Sequence, residues 1–187
     1  MKNLITQENL LKAFAGESMA RNKYTQFAKM ARKEELEWIA QIFEETANNE
    51  KAHAEELYEQ IKGKVVVPTT LEIKTYGKTA DNLKLAAEGE RYEWTTMYPD
   101  FEKIAIEEKQ PEAARLFSSI KKVEEKHEER YLIIARKLNQ KTLYDWETEL
   151  EWKCLNCGNI YKGKTPPQKC PVCTKPFTWY MPIGLVR

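Results

Sequence analysis

The stretch NNEKAHAEEL, residues 48–57, places a histidine within a charged segment of helical character. Glu50 precedes His53 by three residues, so both side chains lie on one face of a helix. The only other histidine repeats this spacing, because Glu124 precedes His127 in KKVEEKHEERYL, residues 121–132. Since both histidines of the chain occur as Glu-x-x-His, we interpret the two pairs as candidate metal ligands and not as ordinary solvated surface.

The two Glu-x-x-His pairs occupy equivalent positions of an internal repeat. FAKMARKE, residues 27–34, aligns with FEKIAIEE, residues 101–108, at an offset of 74 residues. The same offset relates the two pairs. Apolar residues at spacings of three and four predict helices over four segments, 4–33, 36–61, 79–108 and 111–139. Two helical hairpins related by a repeat predict a ferritin-like four-helix bundle with a long crossover.

Several signals mark the ends of these predicted helices. ARKEELEW, residues 31–38, indicates a break between the first two helices. Pro111 suits the first turn of the fourth helix, and Pro99 is expected to kink the third. KGKVVVPTTLEIKTYGKTA, residues 62–80, is interpreted as the long connection, because two glycines and a proline interrupt the helical pattern.

Each predicted helix carries a glutamate where an apolar residue is expected. These four residues, each flanked seven residues away by apolar or aromatic side chains, are Glu17, Glu50, Glu90 and Glu124. Buried carboxylates are costly unless cations compensate them. Ion pairs with Arg21 and Lys121 are one explanation, although they leave the histidines unexplained. The other is a di-iron or di-manganese site, which in such bundles uses two single glutamates and two Glu-x-x-His pairs.

The repeat is imperfect at one point. The Gly-Glu pairs at 16–17 and 89–90 differ by 73 residues, whereas the later matches differ by 74. One residue has therefore been added between Glu90 and Phe101, and we predict that it forms a π-bulge in the third helix. The second half also contains Glu93, whose counterpart is Ala20. Glu93 is either a seventh ligand or a surface residue.

A second candidate site lies near the C-terminus, where the composition changes after Lys141. Four cysteines follow the pattern C-x2-C-x12-C-x2-C, namely Cys154, Cys157, Cys170 and Cys173. Two such pairs favour a tetrahedral four-thiolate metal site over a redox thiol pair. Spacing alone favours zinc, although a mononuclear iron site uses the same ligands. We predict a bundle domain over 1–145 and a cysteine domain with short strands over 146–187. The expected core of the second domain is Trp152, Tyr161, Phe177, Trp179 and Tyr180.

The overall composition excludes some functions and says little about others. The chain has 187 residues, 42% of them hydrophobic, and a net charge of +1. A charge this small gives no reason to expect nucleic acid or an anionic membrane as a partner. No apolar run has the length of a signal peptide or a membrane span, and the cysteines are clustered as in metal sites. We expect a cytoplasmic protein.

The bundle motifs and the cysteine motifs together resemble the rubrerythrins over essentially the whole chain. The matching stretches are FAGESMARNKY, NNEKAHAEEL, GERYEWTTMYP, VEEKHEERY and WKCLNCG followed by CPVC. The resemblance implies a non-haem di-iron (Fe-O-Fe) centre held by Glu17, Glu50, His53, Glu90, Glu93, Glu124 and His127. It also implies a rubredoxin-like Fe(Cys)4 centre, with zinc possible in recombinant preparations. Tyr24 and Tyr98 are expected to donate hydrogen bonds to the site, or else to be packed core tyrosines.

The resemblance also implies a function. It implies a peroxidase that reduces hydrogen peroxide to water in oxidative stress defence, with electrons relayed through the Fe(Cys)4 centre. The expected donor is a rubredoxin or an NAD(P)H-linked flavoprotein, and the expected assembly is a homodimer or larger. Two alternatives stay open, a ferritin-like ferroxidase that handles iron and a non-catalytic metal or oxygen sensor. We further predict that one iron exchanges Glu93 for His53 on reduction, unless His53 stays bound in both states.

Overall fold

Four long helical segments form a bundle in the computed structural model, which describes residues 4–68, 70, 72–75 and 77–184. The helices are α1 (Ile5–Lys33), α2 (Glu37–Glu59), α3 (Thr79–Tyr92), α4 (Tyr98–Glu107) and α5 (Pro111–Asn139). A π-helical segment, Glu93–Met97, joins α3 and α4 into one continuous third helix. Helix α1 packs along α2, and the third helix packs along α5. The predicted pair of hairpins is therefore confirmed.

The two hairpin turns have the same backbone geometry. One residue in each turn adopts a left-handed conformation, Glu35 with φ of 60° and Lys109 with φ of 57°. The N–H of the following residue bonds to the carbonyl oxygen five positions earlier, at 2.9 Å in the first turn and 2.8 Å in the second. These left-handed residues are 74 positions apart, so the predicted repeat extends to the backbone.

The added residue of the second half is accommodated as predicted. Within the π-helical segment the N–H of Tyr98 donates to the carbonyl oxygen of Glu93, five residues earlier. Pro99 follows directly, and its nitrogen has no hydrogen to continue an α-helical ladder. The widened turn thus lies between Glu90 and Phe101, the interval in which the repeat gains its extra residue.

The connection between the hairpins contains no helix or strand within the described residues of 60–78. The predicted long connection is therefore confirmed for those residues. Thr69, Leu71 and Tyr76, which belong to it, lie outside the described residues, as do positions 1–3 and 185–187. None of the described helices is both long and apolar enough to span a bilayer.

The bundle has two apolar clusters with a polar layer between them. One cluster contains Tyr24, Phe27, Phe43 and Tyr131, and the other contains Leu10, Leu57, Tyr98 and Phe117. The four glutamates predicted on the apolar stripes lie between these clusters along their helices, and each is fully buried. The core therefore surrounds a carboxylate layer on two sides, which fixes the site within rigid helices.

The C-terminal domain is a small three-stranded antiparallel sheet. Its strands are β1 (Leu150–Cys154), β2 (Ile160–Gly163) and β3 (Tyr180–Pro182), in the order β2-β1-β3. Trp152 and Tyr180 form its core with two of the cysteines. The prediction that Tyr161 belongs to this core is wrong, because Tyr161 lies on the edge strand β2 and is 39% exposed.

The sheet packs against the end of the bundle through the linker residue Tyr144. The ring centroid of Tyr144 lies 6.2 Å from that of Trp38 on α2 and 6.3 Å from that of Trp152 on β1. Its ring also meets Phe177 edge-on at 5.0 Å, and its hydroxyl donates to the carbonyl oxygen of Thr178 at 3.2 Å. One partly buried tyrosine thus links the two predicted domains.

Candidate metal centres

The carboxylate layer of the bundle brings together six of the seven predicted ligands as two overlapping clusters. One cluster consists of Glu17, Glu50, His53 and Glu124, and the other of Glu50, Glu90, Glu124 and His127. The ligand atoms of each cluster lie within 4.8 Å of one another. Glu50 and Glu124 belong to both clusters. These two carboxylates are therefore positioned to bridge a pair of metal ions.

Distances around the two histidines are matched in pairs. His53 Nδ1 lies 2.9 Å from Glu50 and 2.9 Å from Glu124. His127 Nδ1 lies 2.7 Å from Glu124 and 3.3 Å from Glu50. The two imidazole centroids are 6.3 Å apart. Each histidine thus contacts the glutamate of its own helix and the equivalent glutamate of the other half, as an approximate twofold axis between α2 and α5 requires.

The remaining two glutamates, at the ends of the site, are held by tyrosines in the same symmetric way. Tyr24 donates a hydrogen bond to Glu90, and Tyr98 donates one to Glu17. Each tyrosine therefore serves the glutamate of the opposite half. Burial and the neighbouring carboxylates raise the pKa of both phenols well above the usual value. Both stay protonated at neutral pH and keep donating.

The residues of this layer fit a bound pair of cations. Buried oxygen atoms of all four glutamates, and Nδ1 of His127, lack a hydrogen bond of acceptable geometry. Leaving so many buried acceptors unpaired is costly, and divalent cations would compensate their charge. Oxygen-rich ligation with one imidazole per ion suits iron or manganese.

The alternative ion pair between Lys121 and Glu124 is wrong, because Lys121 binds Glu102 at 2.6 Å. Within the described residues, no ion pair joins Arg21 to Glu17.

The electrostatics of the metal-free site favour protons where cations would bind. Burial alone would lower the pKa of His127, but the close carboxylates of Glu124 and Glu50 outweigh it and raise the pKa to about 12. The same balance raises the pKa of His53 to about 9. Burial, followed by repulsion from the other carboxylates, raises the pKa of Glu17 well above its usual value. Metal binding at this site must therefore displace protons.

Glu93, the seventh predicted ligand, lies beside the clusters and not within them. It is partly buried at the start of the π-helical segment and lines a cavity of about 670 Å³. Among the charges around Glu17, Glu93 raises the pKa of that carboxyl most. Glu90, three residues earlier, is the charge that raises the pKa of Glu93 most, so Glu93 lies near the Glu90 carboxyl as well as that of Glu17, beside which His53 occupies the ligand position.

Two further polar residues, Glu128 and Asn49, support the site and were not predicted. Glu128 is buried, accepts a hydrogen bond from Trp94 Nε1 at 2.5 Å and forms an ion pair with Arg91 Nε at 2.8 Å, and these contacts tie the third helix to α5. The side-chain amide of Asn49 lies 3.2 Å from His127 Nε2. Both Glu128 and Asn49 lack a polar counterpart in the repeat, since Ala54 and Val123 occupy the equivalent positions. That mismatch was the signal available in the sequence.

The cysteine site is built from two equivalent turns, 16 residues apart. In each turn the N–H of the residue after the second cysteine bonds the carbonyl of the first, from Gly158 at 2.9 Å and from Thr174 at 3.0 Å. Gly158 and Thr174 both have positive φ, 78° and 60°. The Sγ atoms of Cys154 and Cys173 are 3.6 Å apart, and so are those of Cys157 and Cys170.

These sulfur positions fit a single ion. A tetrahedral site with metal–sulfur bonds of about 2.3 Å requires sulfur–sulfur separations of roughly 3.8 Å. Burial would raise the pKa of Cys170, but hydrogen bonds from Tyr180 and from backbone N–H groups lower it to about 6. A thiolate is thus favoured at that position before any metal binds.

The geometry defines the class of protein as a four-helix bundle with a carboxylate-bridged dinuclear metal site and an attached four-thiolate metal site. The rubrerythrin family model matches residues 8–135, and the model of the rubrerythrin rubredoxin-like domain matches residues 152–177. The chain belongs to the rubrerythrin family. It contains the residues of a di-iron centre and of an Fe(Cys)4 centre, so the predicted cofactors are confirmed.

Similar proteins cover nearly the whole chain. A rubrerythrin of Porphyromonas gingivalis is 40% identical over 184 residues, covering 98% of this chain and 92% of its own. A rubrerythrin of Nitratidesulfovibrio vulgaris is 38% identical over 186 residues, covering 99% of this chain and 97% of its own. The fully reduced, all-ferrous structure of nigerythrin aligns with a TM-score of 0.65 at 36% identity, covering 95% of this chain and 86% of that one.

Proposed function

We propose that this protein is a peroxidase that reduces hydrogen peroxide to water at its di-iron centre. Each turnover combines one H2O2 with two electrons and two protons, breaks the O–O bond and forms two water molecules. One observation carries this proposal. A single chain holds a paired-metal carboxylate site and a four-thiolate site, and the latter's domain packs against the bundle. A chain that only stores iron has no need of an attached electron carrier.

The chain's own residues prepare the site for this reaction. Iron bound there would supply the two electrons that cleave the O–O bond. Glu50 and Glu124 hold the two metal positions together, since both carboxylates contact both histidines. Tyr24 and Tyr98 keep Glu90 and Glu17 in place, because the raised pKa of each phenol leaves its proton available for hydrogen bonding.

A small substrate can approach from the cavity that Glu93 lines. Gly16, Ala20 and Gly89 lie on its wall, and their small side chains leave space beside the ligand-bearing turns of α1 and α3. Lys23 also lines this cavity and brings a positive charge close to Glu93. These features support access for a molecule the size of peroxide, with Glu93 at the inner end of the path.

Electrons would enter through the Fe(Cys)4 centre from a rubredoxin or an NAD(P)H-linked flavoprotein. Within one chain the cysteine domain packs near Trp38, twelve residues before Glu50 on α2. That separation corresponds to about 18 Å along the helix axis. The distance favours a homodimer in which the cysteine domain of one subunit approaches the di-iron centre of the other. The cytoplasmic location also stays a prediction.

The test separates the two centres. We expect that the double variant Cys154→Ser/Cys170→Ser loses the visible absorption of a ferric tetrathiolate and loses donor-linked peroxide turnover. After chemical reduction its di-iron centre should still be oxidised by one equivalent of peroxide in an anaerobic stopped-flow measurement. The matched control is Glu149→Gln, an exposed change just before β1 that should leave both reactions intact.

Other results would favour the alternative functions. Reduced wild-type protein would indicate a ferroxidase if it reacted with dioxygen but not with peroxide and accumulated ferric iron beyond the three irons that its two centres hold per chain. Reoxidation by peroxide without repeated turnover, whatever donor is supplied, would indicate a sensor. If the double variant kept full donor-linked turnover, the relay role of the cysteine site would be wrong.

A further inference from the structure

The two histidines of the site differ in what their outer ring nitrogen contacts. Nδ1 of each ring faces the carboxylates. On the far side of the His127 ring, Nε2 lies 3.2 Å from Nδ2 of the side-chain amide of Asn49 on α2. Among the described residues, the hydrogen bonds and ion pairs of the His53 side chain all involve Nδ1. Only one of the two imidazoles is therefore held from both sides.

The chemistry of imidazole determines what Asn49 must do when a metal is bound. A metal on Nδ1 takes that nitrogen's lone pair, so the ring proton resides on Nε2, which becomes a hydrogen-bond donor. An asparagine amide presents either its oxygen or its nitrogen after a 180° rotation. The oxygen of Asn49 is the matching acceptor, so with a metal bound the amide must present Oδ1 to Nε2 in place of Nδ2, the atom that faces it in this structure. A metal-bound histidine whose other N–H is held in this way keeps its tautomer and its orientation.

The repeat shows why His53 lacks the same support. The approximate twofold axis relates the Asn49–His127 contact to a contact between positions 123 and 53. Position 123 is valine, which has no hydrogen-bonding group and is 36% exposed. The side chain of His53 is also more exposed than that of His127, 13% against 5%. The two metal sites are thus symmetric in their ligands and asymmetric in the residues that contact the outer ring nitrogens of the histidines.

We propose that Asn49 is a positioning residue that locks His127 as a permanent ligand through Nε2, and that Val123 leaves His53 free to leave its metal. The asymmetry lies in the second layer of residues, because Glu50, Glu124 and the two imidazoles are matched in distance across the axis. This inference depends on the occupancy of the site by a metal and not on the reduction of peroxide.

Two histidines in the chain make a direct test possible. Full-length protein with 15N-labelled histidine is loaded with Zn²⁺ as a diamagnetic probe, and the exchange of each imidazole N–H with solvent is measured by NMR. We expect Nε2–H of His127 to exchange roughly tenfold more slowly than that of His53, since one hydrogen bond protects it. Asn49→Leu should remove this protection, whereas Asn49→Asp should keep it, because a carboxylate oxygen accepts the same hydrogen bond.

The reciprocal variant tests the other half of the proposal. Val123→Asn is a change at an exposed helix position and should slow exchange at His53 by roughly tenfold, with the helical circular dichroism unchanged. Unchanged exchange at His127 in Asn49→Leu would overturn the role of Asn49, as would loss of protection in Asn49→Asp. Unchanged exchange at His53 in Val123→Asn would overturn the role of Val123. Either result is independent of whether the protein reduces peroxide.

Discussion

The two halves of the bundle agree at the centre of the site and differ around it. Both halves supply a Glu-x-x-His pair, a tyrosine and one further glutamate, and the contacts of the two histidines match in pairs. The second half alone adds the π-helical segment and Glu93. The first half alone adds Asn49 beside the imidazole of its partner.

This difference shows which parts of the site make a metal pair and which parts make its two metals unequal. Binding two ions requires equivalent ligands, which the repeat provides. A reaction in which one metal changes its ligands requires unequal surroundings, and those come from positions where the repeat fails. We therefore expect substitutions at positions that the repeat relates to each other to affect both metals equally. Substitutions at positions without such a counterpart should affect only one metal.

The largest effect is expected at the matched bridging carboxylates. Glu124→Ala should abolish metal pairing and reduce peroxide turnover to background, because Glu124 belongs to both ligand clusters. Glu50→Ala should do the same to the same extent. Iron content per chain and steady-state peroxide consumption measure the outcome. The neighbouring exposed residue gives the control, Glu125→Ala, which should retain both irons.

Unequal results for these two variants would contradict the equivalence of Glu50 and Glu124. If Glu124→Ala lost both irons while Glu50→Ala retained two and turned over, only one carboxylate would be a bridge. A Glu124→Ala protein that still bound two irons and consumed peroxide would show that the assignment of the bridging ligands is wrong.

Periodicity in the sequence predicts most of this site because the ligands sit on helices. Residues seven apart share a face, so Glu17 and Glu90 are recognisable as polar interruptions of apolar stripes without knowledge of the packing. The one-residue change of offset likewise predicts the π-helical segment. These features are local in the chain, and local patterns determine them.

Contacts between helices or strands are not local, and the sequence predicts them poorly. Tyr161 reads as a core residue of a small domain, but its exposure depends on β2 being an edge strand. Glu128 reads as one more charge on α5, whereas it is buried by Trp94 and Arg91 from the third helix. Tyr144 reads as a linker residue, and its role becomes visible only where the two domains meet.

A smaller effect is expected at the unmatched carboxylate Glu93. Ferric iron is the harder ion and favours an anionic oxygen ligand, while ferrous iron tolerates neutral imidazole. We therefore predict that in oxidised protein Glu93 binds the iron beside Glu17 and His53 is released. Reduction should reverse this exchange. Crystal structures of one crystal form in both oxidation states would measure this. An imidazole nitrogen of His53 within about 2.0–2.3 Å of oxidised iron would contradict the exchange.

A substitution at Glu93 gives a second test of the same prediction. Glu93→Ala should leave His53 bound in both oxidation states and raise the reduction potential of one iron, since an anionic ligand of the ferric state is removed. The control is Glu88→Ala, which removes an exposed carboxylate from the rim of the same cavity and should leave both potentials unchanged. Equal shifts in both variants would mean that Glu93 acts only through its charge.

The last effect concerns the stability of the metal-free bundle and not the reaction, because the two histidines should titrate differently there. The pKa of His53 is raised to about 9 and that of His127 to about 12, against an ordinary value of 6.5. A raised histidine pKa stabilises the folded state below the unfolded value of 6.5, and that stabilisation is lost as pH rises through the folded value. Between pH 6.5 and 9 the folded protein therefore binds more protons than the unfolded chain, so the free energy of unfolding should fall by up to about 1.4 kcal/mol per pH unit for each histidine. Above pH 9 His127 is the only one of the two histidines that still contributes, and the histidine part of the slope should become shallower. Denaturant titrations followed by helical circular dichroism measure this slope. His53→Gln should flatten it below pH 9, and His127→Gln should flatten it both below and above pH 9.

Metal-loaded protein should show the opposite slope, because cations bind the deprotonated ligands. A metal-free slope of zero or of positive sign across pH 6.5–9 would show that the carboxylates do not hold these protons in the folded state.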